Sequence, residues 1–359
     1  MAPWTRLEEP FVSESQIIEG ADAPRVLVAG ASGFAGALAA SLVWRHPGLE
    51  LVAATAREDA GRRLDQLYPR HRVPIELTEL DERAAADCDA AIVAYPHGAA
   101  APVVAELRGL GAHVVDLSAE FRLRDRLTYE QWYGEHGAPE LLAGAVYGLT
   151  ELHRDAIRTA ELVANPGCYP TAAILALAPL ARAELIDDVV ISAASGVSGA
   201  GRGGEGKNHF VSVAENFTPY ATEGHRHEPE IAQELSRLTP GGSLDSAPPI
   251  TFVPHLLPLD QGELASCYVR PTRAVDHAEL DRLYGEAYGS EPFVNVVADP
   301  PGVRDVRATN DCRIHVTMSE RSGMVIVFAA IDNLWKGAAG QAVQNLNLML
   351  GLPETAGLV

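Results

Sequence analysis

Cysteine is scarce in this chain: four in 359 residues, Cys88, Cys168, Cys267 and Cys312, far apart and without a CxxC pair. That spacing argues against a metal site or a disulfide framework, and reduced thiols imply a cytoplasmic location. Basic residues are also few. The 28 Lys and Arg stand against 48 Asp and Glu, a formal net charge of −20. Such a surface repels nucleic acid and anionic membranes, so neither is an expected partner, while a small anionic substrate in a locally basic pocket is compatible with it. No stretch approaches the roughly eighteen apolar residues that a membrane helix needs. The opening MAPWTRLEEPFVSESQIIEG lacks a basic stretch followed by an apolar one, so residues 1–24 are expected to form an arm and not a signal peptide.

What is present begins after Pro24. RVLVAGASGFAGALAASLVWRHP runs from a buried strand through a glycine turn into a helix. Further strands are expected near 49–56, 90–96 and 112–118, separated by helical patterns. Val-, Ile- and Ala-rich strands alternating with helices predict a doubly wound parallel sheet of Rossmann type. From Cys168 the texture changes: one helix (TAAILALAPLARAEL) precedes strands in DVVISAAS, PPITFVPHL, GELASCYVRP, FVNVVAD, CRIHVTMSE and MVIVFAAI. Several follow one another without helices between them, which predicts an α+β domain with a mixed or antiparallel sheet. NLWKGAAGQAVQNLNLML reads as a closing helix. The expected domains are therefore 25–165 with 331–359, binding a dinucleotide, and 166–330, carrying catalysis and oligomerisation. Loops are expected at 199–206 and 239–249.

Gly30-Ala31-Ser32-Gly33-Phe34-Ala35-Gly36 is a GxxGxxG turn between strand and helix. Gly30 permits the turn, Gly33 lets the backbone approach a pyrophosphate, and Gly36 lets the helix pack on the strand, with the helix N-terminus facing the phosphates. An acidic residue at the end of the second strand would favour NAD. Here that strand ends Thr55-Ala56-Arg57, with Arg62 and Arg63 soon after. A small hydroxyl and a guanidinium suit a 2′-phosphate, so the expected cofactor is NADP(H).

Among the cysteines, Cys88, Cys267 and Cys312 read as small buried hydrophobes. Cys168, in Asn165-Pro166-Gly167-Cys168-Tyr169-Pro170-Thr171, follows a Pro-Gly turn. Pro170 suits the first position of a helix, which places Cys168 just before its N-terminus, where the dipole favours thiolate. A nucleophile also needs a proton shuttle. Gly224-His225-Arg226-His227-Glu228-Pro229-Glu230 offers two imidazoles, which point oppositely if the segment is extended. Arg122, in DLSAEFRL, and Arg202, among the glycines of SGVSGAGRGGEG, are candidates for an anionic substrate.

Together GASGFAG (30–36), PHG (96–98), DLSAEFRL (116–123), NPGCYPT (165–171), SGVSGAGR (195–202), HRHEPEI (225–231) and IDNLWKGAAGQAVQNLNLMLG (331–351) resemble the N-acetyl-γ-glutamyl-phosphate reductases. These are arginine-biosynthesis enzymes of the aspartate-semialdehyde dehydrogenase type. The resemblance implies a Cys168 nucleophile, an acid/base histidine within the HRH triplet (His225 favoured over His227), and Arg122 on the substrate anion. Ser195, Gly196 and Arg202 join the substrate side. The cofactor set becomes Gly30, Ser32, Gly33, Phe34, Gly36, Thr55 and Arg57, with Pro96 and Asn333 from the later motifs. The implied reaction is NADPH-dependent reduction of an acyl phosphate to a semialdehyde through a thioester, by a dimer or tetramer. Two departures stand out: Ala99-Ala100 where the family has a serine, removing a hydroxyl contact to cofactor or phosphate, and Thr150 where proline is usual, expected to alter only a turn. Alternative readings are the same chemistry on carrier-bound aminoadipyl phosphate or on aspartyl phosphate, or a non-catalytic NADP-binding regulator in which Cys168 is structural.

Overall fold

The computed structural model describes residues 23–203, 209–239, 241–242 and 247–359. Nearly all of the expected N-terminal arm, and parts of both expected loops, lie outside the described residues. The first sheet joins β1 (Arg25–Ala29), β2 (Glu50–Thr55), β3 (Ala90–Val93), β4 (His113–Asp116), β5 (Val146–Tyr147) and β6 (Leu162–Ala164) in the order β2-β1-β3-β4-β6-β5. Every pairing in it is parallel. The third and fourth strands end earlier than their apolar runs predict, at Val93 and Asp116. The residues beyond turn along the carboxyl edge, where an open parallel sheet binds its ligands. β5 and β6 are too short to show a pattern in the sequence.

The second sheet contains β7 (Asp188–Gly196), β8 (Thr218–Pro219), β9 (Ile250–Leu257), β10 (Glu263–Arg270), β11 (Val294–Val296), β12 (Cys312–Met318) and β13 (Val325–Ile331), ordered β11-β12-β13-β10-β7-β9-β8. It is mixed: β11 with β12 and β7 with β9 are parallel, the remaining pairs antiparallel.

The helix Cys168–Arg182 lies in the core of this second unit, buried on every side from Tyr169 to Ala181. A helix apolar all round has no solvent face to offer. Its internal Pro179 has no N–H for the Leu175 carbonyl, and that oxygen instead accepts from the Tyr288 hydroxyl at 2.5 Å. No helix among the described residues is long and apolar enough to cross a membrane.

The chain's end returns to the first sheet. After β13 it forms a π-turn, Trp335–Ala339, and then the helix Gly340–Met349, whose Val343, Leu346 and Met349 pack with Val26, Val28 and Ile92. The other face of this helix is polar yet fully buried. Gln341 Nε2 donates to the Thr150 hydroxyl at 2.7 Å, which donates to Asn345 Oδ1 at 2.7 Å, and Asn345 Nδ2 donates to Asn165 Oδ1 at 3.1 Å. Thr150 is therefore more than the altered turn expected from sequence: its hydroxyl bridges two buried amides. Beside it Lys336 Nζ sits 2.5 Å from Glu151 Oε1 and 2.8 Å from Gln344 Oε1, with no exposure of either charged side chain.

Removing one member of a buried ion pair strands the other charge. Lys336→Met should lower unfolding stability by about 3–5 kcal/mol, and a second change, Glu151→Leu, should recover most of it. Chemical denaturation midpoints of the two variants check this.

Candidate active site

The glycine turn meets the cofactor requirement on geometry. Gly30 has φ +85°, and a Cβ there would lie 2.7 Å from the Ala94 carbonyl oxygen. At Gly36 a Cβ would lie 2.2 Å from the Gly30 oxygen, so neither position admits a side chain. Gly33 is open except for the Gly30 oxygen at 3.6 Å, leaving its backbone approachable. Gly33 caps the helix Phe34–Trp44 without any side-chain hydrogen bond, so the first N–H groups await an anion. The Thr55 hydroxyl oxygen is buried with no partner among the described residues, while its carbonyl accepts from the Gly30 and Ala31 amides. Ser32 gives its carbonyl to the Tyr68 hydroxyl at 2.7 Å, and Phe34 meets the same ring edge-on. Pro96 lies exposed on the same rim, in the turn after β3.

The second-strand arginines divide. Arg62 pairs with Asp59 and Arg63 with Asp65. Arg57 stands 5.3 Å over the Tyr95 ring and makes no ion pair among the described residues, which leaves its guanidinium available. Ala99 and Ala100 precede the helix Ala101–Gly109, whose Ala101 N–H donates to Glu120 Oε1 at 3.0 Å. The carboxylate of DLSAEF thus caps the helix where the family's serine is missing.

Cys168 is the first residue of its helix, with Gly167 as N-cap. Pro170 sits two residues further in than the sequence suggests; its missing N–H is harmless anywhere in the first turn, so it does not mark the start uniquely. Three side chains hold Gly167. Its N–H donates to Glu230 Oε1 at 2.9 Å, an oxygen that also accepts from the Tyr147 hydroxyl at 2.8 Å. Arg122 Nε donates to the Asn165 carbonyl at 2.8 Å, Nη2 to the Leu117 carbonyl at 2.7 Å, and Nη1 lies 3.5 Å from Glu230 Oε2. A Cβ on Gly167 would sit 2.7 Å from His227 Nε2 and 2.9 Å from Arg122 Nη1. Gly337 of the π-turn supplies the other wall: a Cβ there would lie 2.8 Å from Cys168 Cβ.

In front of the sulfur opens a cavity of about 630 Å³, lined by Cys168, Ser195, Gly196, His225, Arg226 and His227 among others. That volume suits a small metabolite. His225 and His227 sit together, ring centroids 4.8 Å apart. The His227 amide donates to His225 Nδ1 at 3.1 Å, so the proton of a neutral His225 is assigned to Nε2. Burial, then the Arg226 charge, push His225 down to about 4. Burial and neighbouring cations likewise hold His227 well below its usual range. Both rings are neutral near pH 7.

The thiol does not follow the dipole expectation. Burial first, then the Glu263 carboxylate, push Cys168 well above the ordinary thiol range, against the Tyr169 N–H and Arg122 that lower it. Desolvation outweighs a helix end, so the resting group is a thiol. Cys267 and Cys312 are fully buried in their strands, and Cys88 is half-buried.

Two predicted residues stand apart from this cavity's chemistry. Arg202 pairs with Asp59, approaches the Ser32 carbonyl at 3.4 Å and lies 5.9 Å over the Tyr68 ring, beside the glycine turn. Asn333 spends its amide on protein: Oδ1 accepts from the Gly262 N–H at 2.8 Å and Nδ2 donates to the Ser198 hydroxyl at 3.0 Å. Sequence reasoning passed over Arg226, a cation on the cavity wall that contacts His97 Nε2 at 2.7 Å, although it stands inside the HRH triplet. It also passed over Glu230, the link between HEPE and the cysteine turn, and Glu263. Glu263 left a signal, an acid on the strand face it shares with the fully buried Ala265, Cys267 and Val269.

Compared with known proteins, the chain matches the semialdehyde dehydrogenase NAD binding domain over residues 25–160 and the semialdehyde dehydrogenase dimerisation domain over 168–333. It is 48% identical over 345 residues to the N-acetyl-gamma-glutamyl-phosphate reductase of Desulforudis audaxviator, covering 93% of this chain and 98% of that one. The reductase of the same name from Alkalilimnicola ehrlichii is 47% identical, covering 92% and 96%. Among solved structures, aspartate semialdehyde dehydrogenase II of Vibrio cholerae, complexed with ASA, superposes with a TM-score of 0.72 at 18% identity, covering 92% of this chain and 99% of that one. The NADP complex of the Candida albicans aspartate semialdehyde dehydrogenase gives 0.68 at 15%, with the same coverage. At such identities these two share the fold.

Gly167→Ala should displace His227 or Arg122 and misplace the sulfur. A fall in turnover on the order of 10²-fold is expected, with cofactor affinity unchanged, as steady-state kinetics and cofactor titration can check.

Proposed function

The chain belongs to the semialdehyde dehydrogenase family and, within it, to the N-acetyl-γ-glutamyl-phosphate reductases, and we propose that its own substrate is N-acetyl-γ-glutamyl phosphate, reduced to the semialdehyde with release of phosphate. The observation that carries the mechanism is the cavity in which Cys168, His225, His227 and Arg226 converge at a helix start.

The Cys168 sulfur attacks the acyl carbon, a C–S bond forms, the bond to the phosphate oxygen breaks, and a thioester remains on the enzyme. Splitting the reaction this way replaces one hard step by two easier ones. NADPH, when bound on the Gly30–Gly36 turn, supplies the hydride. Reduction gives a hemithioacetal on Cys168, whose C–S bond then breaks to free the aldehyde. His225, on the cavity wall with the proton of its neutral ring assigned to Nε2, donates to the substrate's oxygens in this reading. Arg226 on the cavity wall is the cation for a substrate anion. Arg122, with both carbonyls and Glu230 already engaged, acts mainly by holding Gly167, and its Nη1 faces the turn where the anion would arrive.

Arg57, stacked on Tyr95 and unpaired, supports NADP(H) over NAD(H), and Arg202 beside Ser32 belongs with the same end of the site. In this reading residues 25–165 with 331–359 hold the cofactor and 166–330 hold the cysteine. The widely spaced, unbridged cysteines support a cytoplasmic location, and the match to a dimerisation domain over 168–333 supports a homo-oligomer.

The reverse reaction separates the readings. The protein should oxidise N-acetylglutamate semialdehyde with NADP⁺ only when phosphate is present; activity confined to aspartate semialdehyde would overturn the substrate. Cys168→Ser should abolish turnover while NADPH still binds, and substantial residual activity would remove the nucleophile assignment. Arg57→Ala should cut the preference for NADP⁺ over NAD⁺ by about 10-fold or more, since a charge-assisted contact is lost.

A further inference from the structure

Cys168 is confined from two directions. On one side stands its own turn, Asn165-Pro166-Gly167. On the other stands Gly337 of the π-turn, so close that a Cβ there would lie 2.8 Å from Cys168 Cβ and 3.3 Å from its Cα. Glu230 and Arg122 fasten the cysteine's turn, but through hydrogen bonds that do not include the π-turn. The separation of the two stretches needs another fastening.

One side chain crosses between them. Asn165 Nδ2 donates to the Ala338 carbonyl at 3.2 Å, joining positions 173 residues apart. Ala338 directly follows the Gly337 that meets the cysteine. Asn165 is 1% exposed, and its other polar groups are engaged as well. Its N–H donates to the Asp116 carbonyl at 2.8 Å, its carbonyl accepts from Arg122 Nε at 2.8 Å, and its Oδ1 accepts from Asn345 Nδ2 at 3.1 Å.

A side-chain amide fits its density turned either way, so its direction needs a reason. Main-chain carbonyls give it here, because they only accept. Asn345 Nδ2 faces the Gly148 carbonyl at 2.8 Å, which fixes its amino end; its second hydrogen goes to Asn165 Oδ1, and the Asn165 amino end turns to Ala338. On the far side the Thr150 hydroxyl donates to Asn345 Oδ1 at 2.7 Å. The donors thus run one way, from Thr150 through Asn345 and Asn165 to the π-turn. Space enforces the same arrangement: a Cβ on Gly148 would sit 2.6 Å from Asn345 Nδ2.

We propose that Asn165 is a positioning residue for the reaction, its amide setting the separation between the cysteine's turn and the π-turn and so the place of the sulfur. The proposal rests on Cys168 being the nucleophile. Asn165 is not among the residues that line the cavity, so it acts only through the cysteine. The sulfur must meet the acyl carbon and then hold the thioester where the hydride arrives, two demands on one position. A displacement of about 1 Å in such a geometry costs on the order of 10²-fold in rate. An apolar side chain would fill the same space without burying an amide, but it would leave the Ala338 carbonyl and the Asn345 amide without this partner and the separation unfixed.

Asn165→Ala in the full-length protein tests this. Its kcat should fall on the order of 10²-fold, with KM and NADPH affinity within about 2-fold of wild type, because only the placement of the sulfur changes. Iodoacetamide labelling, read peptide by peptide by mass spectrometry, separates displacement from general loosening. Released from its wall, Cys168 should label about 3-fold faster or more, while half-buried Cys88 and the buried Cys267 and Cys312 keep their wild-type rates. Retained turnover, weakened NADPH binding, an unchanged Cys168 rate, or labelling that quickens at all four cysteines would each overturn the proposal. Should the variant not fold, Asn345→Ala decides: it removes the partner that orients Asn165, and the same pattern is expected with kcat down about 10-fold. Cys168→Ser tests the premise separately, since an active Asn165→Ala variant defeats the proposal and leaves the nucleophile in place.

Discussion

The site depends on one clamp. Glu230 accepts the Gly167 N–H and faces Arg122, while Arg122 reaches back to the carbonyls of Leu117 and Asn165. Leu117 follows β4 and Asn165 follows β6, both on the carboxyl edge of the first sheet; Glu230 lies in the first turn of the helix Glu228–Leu238, which packs with the second unit. A carboxylate and a guanidinium, each buried, thus fasten the cysteine's helix start to both halves of the molecule. Buried charges of this kind contribute little net stability, but they confine geometry, because every alternative arrangement leaves one of them unpaired. The N-cap of the cysteine's helix is therefore placed by electrostatics and not by a capping side chain of its own.

Much of this was legible in the residues. The glycine turn, its strand and its helix followed from a spacing that only a tight backbone approach explains, and the parallel sheet followed from unbroken apolar strands. The matched family and its named relatives agree with the reading of NPGCYPT and HRHEPEI as an acyl-phosphate reductase. What stayed hidden was long-range. β5 and β6, two and three residues long, carry no period. Thr150 looked like a turn residue because its partners Gln341 and Asn345 stand nearly two hundred positions away. The start of the cysteine helix was misjudged by two residues because proline is tolerated throughout a first turn. The helix end that favours a thiolate at Cys168 is visible in sequence, and the burial that opposes it is not.

Charge is arranged against the overall balance. The chain carries formal −20, yet the cavity presents neutral imidazoles and the Arg226 guanidinium. The buried acids Glu230 and Glu263 are both shifted up by burial. Glu230 is tied down by Arg122, the Gly167 amide and the Tyr147 hydroxyl, whereas both carboxyl oxygens of Glu263 are without a hydrogen-bond partner among the described residues. Two buried glutamates of one site thus differ in kind, one structural in its bonding and one left with capacity to spare.

The wall that Gly337 forms against Cys168 has a meaning in time as well as in space. Cys168 comes early along the chain, but the surface that confines it belongs to the π-turn that follows β13. During synthesis the growing polypeptide carries the cysteine long before the π-turn that seats it exists. Only a chain that extends past Gly337 can assemble the site, so the cysteine is seated after both sheets have been made.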